Sequence, residues 1–94
     1  MMSDREINVA VDLDNDVAVI TITKKLSIFN KYGRFLIEYD KQGFSAIDKE
    51  QDGYHEVIYL GKKKIYDRKM SVDEVKRVIS KVLKQKYEEI ARCV

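Results

Sequence analysis

From Ile7 onward, apolar residues recur at every second position, and each such run is broken by a short cluster of turn-forming residues. A period of two belongs to strands with one buried face, and connections this short join antiparallel neighbours rather than crossovers. The pattern changes once. After Ser71 the apolar spacing becomes that of a helix and keeps that period almost to the end of the chain.

The first hairpin follows from this alternation. Ile7, Val9, Val11 and Leu13 alternate with Asn8, Ala10 and Asp12, then Asp14-Asn15-Asp16 interrupts, and Val17 to Lys24 resumes. A two-residue loop at Asn15-Asp16 pairs Leu13 with Ala18, Val11 with Ile20, Val9 with Ile22 and Ile7 with Lys24. That register gives the more apolar face, and Asn and Asp tolerate the left-handed backbone of so tight a turn. Residues 24–33 are compatible with a continued strand or a helical turn. Arg34 to Asp40 reads as a strand with Phe35, Ile37 and Tyr39 on one face, closed by a turn at Asp40-Lys41-Gln42-Gly43. Asp52-Gly53 marks a further hairpin, and a two-residue turn there pairs Ile47 with Ile58, Lys49 with Glu56 and Glu50 with His55. Residues 62–69 form a basic connection in which Ile65 and Tyr66 suggest a short edge strand.

Ser71 and Glu74 stand at capping-box spacing, with Met70 and Val75 at the positions of a hydrophobic staple. Val72, Val75, Val78, Ile79, Val82, Leu83, Tyr87 and Ile90 then form one apolar stripe, so a helix is expected from about Val72 to Ala91. The expected fold is α+β. An antiparallel meander of five or six strands covers residues 1–70, one amphipathic helix over 71–92 packs on one face, and residues 1–94 form a single domain.

Composition narrows the function classes. In 94 residues there are one His, one Cys, four Gly and no Pro or Trp. This is a poor inventory for a nucleophile–base pair, a multi-cysteine metal site or a glycine-rich phosphate loop. Cys93 has no second cysteine to bridge, and the charged start Met1 to Glu6 does not resemble a signal peptide, so a cytoplasmic protein is expected. Neither an enzyme, a cofactor, a resident metal nor a membrane span is expected.

Three patterns invite chemistry and are better read otherwise. Asp12, Asp14 and Asp16 have the spacing of a calcium loop, but Val17 and Thr23 stand where that loop needs Gly and Glu. Val9 to Asp14 resembles the nucleophile strand of haloacid-dehalogenase-type phosphatases over six residues, but the following residues depart from the motif and the chain is too short for that fold. Lys31 to Tyr39 resembles the RNA-binding strand of RNA-recognition-motif domains in mixing bases with aromatics, yet its glycine and aromatic spacings differ. His55, beside Glu56 and near Glu50 and Asp52, is the one imidazole available for acid–base work and reads as an exposed strand residue.

Charge is segregated although the net value is only +2. The first 23 residues hold one Arg against five acids, whereas residues 61–94 hold eleven of the 18 bases. Two functions follow as expectations. The first is a non-enzymatic protein-interaction module, a homodimer or a binder of another protein, acting through a sheet edge or the helix end. Lys86 interrupts the apolar stripe there while Tyr87, Ile90 and Val94 continue it. The alternative is nucleic-acid binding through Lys62, Lys63, Lys64, Arg68, Lys69, Arg77, Lys81 and Lys84.

Overall fold

A computed structural model describes residues 7–93, with side chains through residue 89. Among the described residues the fold is α+β, with seven strands in two antiparallel sheets and one carboxyl-terminal helix. The chain divides into two compact units, one of residues 1–28 and 76–94, the other of residues 29–75. The single meander sheet expected from the alternation is therefore two sheets. The break falls at 28–33, where Asn30 organises a turn instead of a strand. Its side-chain oxygen accepts from the Tyr32 and Arg34 amides, and Gly33 adopts a φ of 76°.

In the first unit, β1 (Val9–Asp12), β2 (Val17–Ile20) and β3 (Lys24–Ser27) lie side by side in that order. Val9 pairs with Ile20 and Val11 with Ala18, two residues away from the expected register. A slide of two keeps every side chain on its expected face, so the apolar row survives. The turn chemistry causes the slide. The Asp12 carboxylate accepts from the Asn15 amide at 3.2 Å and from its side-chain nitrogen at 2.8 Å, drawing the turn back to Leu13–Asp16. Leu13 is thereby buried inside the turn rather than paired in the strand.

The second strand also stops early. Thr21 and Ile22 have φ of 48° and 76°, and the Thr23 amide donates to the Thr21 carbonyl at 2.9 Å. Ile22 thus heads a strained three-residue turn, 86% exposed, instead of pairing with Val9. The buried residues of this unit are Leu13, Ala18, Ile20 and Ile28, together with Ile79 and Leu83 of the helix.

In the second unit, β4 (Arg34–Tyr39), β5 (Gly43–Glu50), β6 (Gly53–Leu60) and β7 (Lys63–Met70) form a meander in chain order. Ile47 pairs with Glu56 and Lys49 with Tyr54, again two residues from the expected register, because the turn is Gln51-Asp52 and Gly53 sits opposite Glu50. The expected basic connection is the full strand β7, with seven of its eight residues exposed. Gly43 is needed at the close approach of β5 to β6. A Cβ there would lie 1.9 Å from the Tyr59 carbonyl oxygen. On one face of this sheet lie Phe35, Ile47 and Met70, all buried, with Tyr54 stacked on Phe29 at 5.7 Å.

The helix α1 (Val72–Cys93) begins as the sequence predicts. The Glu74 amide donates to Ser71 Oγ at 3.1 Å, and the Ser71 amide donates to Glu74 Oε1 at 3.0 Å. Both ends of the capping box are therefore closed. Met70 and Val75 are both buried, as a hydrophobic staple requires.

Candidate interaction surfaces of the four-stranded unit

The registers place Arg34, Asp48, His55 and Lys69 in one row across the face opposite Phe35. Leu36, Ala46, Val57 and Asp67 form the next row, and Tyr39, Phe44, Tyr59 and Lys64 the third. Tyr39 was expected beside Phe35. A bulge between Leu36 and Glu38 inserts Ile37 and turns Tyr39 to the other face, where it is 78% exposed.

Two networks organise this face. Arg34 donates from Nε and Nη2 to both oxygens of Asp48, at 2.7 and 2.9 Å. Its guanidinium carbon also lies 4.7 Å from the Phe44 ring centre and 5.1 Å from that of Tyr59, and those rings stack at 4.9 Å. The bidentate pair with Asp48 raises the Arg34 pKa further. Together Arg34, Phe44 and Tyr59 lie over the centre of the sheet, where Ala46 and Val57 are fully buried.

The second network is a chain of charges. His55 Nδ1 lies 2.7 Å from Asp67 Oδ1, and its Nε2 lies 2.8 Å from Asp52 Oδ1. Lys64 donates to the other Asp67 oxygen at 2.9 Å. Asp67, then Asp52, raises the His55 pKa by favouring the imidazolium. Lys64 and then His55 lower that of Asp67, and His55 lowers that of Asp52. Glu50 shares this face, and ligand atoms of Glu50, Asp52 and His55 lie within 4.8 Å of one another.

The sheet has two edges, β4 and β7, each with a neighbour on one side only. Strand β7 presents Lys63, Lys64, Asp67, Arg68 and Lys69, and Arg68 bridges Glu56 at 3.0 Å and Glu74 of the helix at 3.1 Å. Strand β4 reads Arg-Phe-Leu-Ile-Glu-Tyr and leaves Leu36 46% exposed as well as Tyr39. Beside Tyr39 lies an open cleft of about 490 Å³ lined by Phe44, Ile58, Tyr59 and Leu60 among others.

The structure separates the residues singled out from sequence. Of the basic set, Lys62, Lys63, Lys64, Arg68 and Lys69 belong to the second unit, where Lys64 and Arg68 are engaged in ion pairs. Arg77, Lys81 and Lys84 belong to the first unit, on the exposed face of α1. At the helix end Lys86 is exposed, and Tyr87 is half-buried with the Lys24 ammonium 5.5 Å above its ring. The side chain of Ile90, and Val94 entirely, lie outside the described residues. Sequence reasoning missed Arg34, Phe44, Tyr59 and Asp67. Their assembly depends on three strand registers and two bulges, of which the alternation carries only the parity.

No family model, curated protein or solved structure matches the chain. No helix among the described residues is long and apolar enough to cross a membrane.

Proposed function

We propose that the chain is a non-enzymatic protein-interaction module that pairs with a second copy of itself along β4. The observation that carries this reading is the unequal treatment of the two sheet edges. Natural sheets protect a free edge with charge, because pairing it with another chain would strip water from those charges. Strand β7 surrounds its exposed Ile65 and Tyr66 with Lys63, Lys64, Asp67, Arg68 and Lys69, while β4 exposes Leu36 and Tyr39 with Glu38 as the one charge between them.

A twofold contact would set β4 antiparallel to its own copy, so each residue meets the same patch on the partner. The bulge at Ile37 shortens the backbone run available for pairing. The contact therefore relies on side chains, with Leu36 and Tyr39 at its centre and the neighbouring cleft residues Phe44, Tyr59 and Leu60 extending it. A nucleic-acid surface has less support, since two of its expected bases are neutralised locally and the acids Asp48 and Asp67 share the open face.

Sedimentation velocity over a concentration series tests the reading. The parent should pass from monomer to dimer, and the double variant Leu36→Lys, Tyr39→Lys should remain a monomer with an unchanged circular dichroism spectrum. A parent that stays monomeric at the highest concentration, or a double variant that dimerises equally well, contradicts it.

A further inference from the structure

The end of the β5–β6 hairpin carries a set of side chains that the edge-pairing account does not use. We propose that Glu50, Asp52 and His55 bind a divalent transition-metal ion of the zinc type, with Asp67 as the carboxylate that orients the imidazole.

The hairpin builds the set. Glu50 ends β5, Asp52 lies in the two-residue turn, and His55 is the third residue of β6. Alternation along the strands puts Glu50 and His55 on the same face, and the turn folds Asp52 toward them. Their ligand atoms all fall within 4.8 Å of one another. Two ligands of one tetrahedral zinc ion are about 3.3 to 3.5 Å apart, as bonds of about 2.0 to 2.1 Å require. Glu50 and Asp52 are both exposed, so a side-chain rotation closes the remaining distance without moving the sheet.

The imidazole is held as metal-binding histidines usually are. A ligating histidine donates its second ring N–H to a carboxylate or carbonyl, which fixes the ring plane and the tautomer. His55 has that partner. Its Nδ1 lies 2.7 Å from Asp67 Oδ1, on the neighbouring strand, and Asp67 is itself anchored by Lys64 at 2.9 Å. With Nδ1–H donating to Asp67, Nε2 points at Asp52 Oδ1, 2.8 Å away. A proton now holds that contact. On binding, the ion takes its place: the Nε2 proton leaves to solvent, and Nε2 and an Asp52 oxygen become ligands beside Glu50.

The donor set selects the ion. One imidazole nitrogen with two carboxylates suits zinc and its first-row neighbours, while calcium and magnesium favour all-oxygen shells of six or more ligands. Three protein ligands leave a fourth position for water. The charge balance also favours a cation, since the three acids Glu50, Asp52 and Asp67 outnumber Lys64 and Lys69 at the cluster. Lys69, opposite His55 on β7, is the nearest internal competitor, and its charge already acts on Asp52.

The test is a calorimetric titration of the full chain with zinc ion in a Cys93→Ser background, which removes a thiol that would bind zinc by itself. The His55 ring resonances are followed in parallel. One zinc ion per chain should bind and shift those resonances. Asp67→Asn should weaken binding by about ten- to a hundredfold with the stoichiometry unchanged, as loss of an orienting carboxylate does. Lys69→Gln should tighten it. Glu50→Gln, at an exposed position, should weaken binding at least as much as Asp67→Asn does, while the thermal transition of the metal-free protein stays unchanged. Absence of zinc binding to the parent, or binding indifferent to both Glu50→Gln and His55→Gln, would overturn the proposal.

Discussion

Strands β4 and β7 bound the same sheet, and each carries one bulge, yet their surfaces are opposite in chemistry. In β7, Lys64 closes on Asp67 and Arg68 on Glu56 and Glu74, so an approaching strand would have to desolvate a connected set of charges. Its two exposed apolar members, Ile65 and Tyr66, sit at and beside the bulge, where the ladder is interrupted, and its third, Met70, is buried. In β4 the only charges are Arg34 at the start and Glu38, and Arg34 is turned onto Asp48 and the Phe44 and Tyr59 rings. A bulge alone does not make an edge unpairable. What separates the two edges is the cost of burying their side chains.

Removing the sheet under both edges gives the largest expected effect. Gly43→Ala sets a methyl group against the Tyr59 carbonyl, backbone against side chain with no rotamer to relieve it. It should destabilise the protein by roughly 3 kcal/mol or more in urea melts, and any self-association should disappear with the fold. Stability equal to the parent would contradict the close approach of β5 to β6 at Gly43.

Next comes a change at the β7 side alone. Ser71→Ala removes the acceptor for the Glu74 amide immediately after β7, and it should cost about 1 kcal/mol while leaving dimerisation through β4 intact. Loss of dimerisation at unchanged secondary structure would move the contact away from β4.

The smallest effect is a pH dependence carried by His55, measured with a chelator present. Its folded pKa lies above the ordinary imidazole value of 6.5, so its stabilising contribution is complete below that value and fades as pH rises through the folded pKa. Asp52 and Asp67 lie below the ordinary aspartate value of 3.8, so their contributions are present above it and fade as pH falls through the folded values. The thermal stability difference between parent and His55→Gln should therefore be greatest between about 3.8 and 6.5 and shrink on the alkaline side. A difference that is constant across neutral pH would show that the bridge between the turn and β7 does not form.

How far the sequence reads depends on the range of the interaction. The capping box of α1 is local, and Ser71 and Glu74 meet as their spacing predicts. Parity along the strands is also legible, since period-two alternation identifies the face. It does not distinguish registers two residues apart, and both hairpins slid by that amount: one to satisfy Asp12 and Asn15, the other to place Gly53 opposite Glu50. Glu50 and His55 still share a face because the slide preserves it. Bulges defeat the reading altogether. Ile65 disguises β7 as a connection, and Ile37 reverses Tyr39, so the exposed edge and the Arg34 cluster emerge only from the pairing of strands.

Hydrogen exchange at two protein concentrations tests the edge account most directly, because it reads both strands in one sample. Raising the concentration should slow exchange in β4, around Leu36 to Tyr39, and leave β7 from Lys63 to Lys69 unchanged. Protection that rises in β7 and not in β4, or in neither while the protein dimerises, would contradict it.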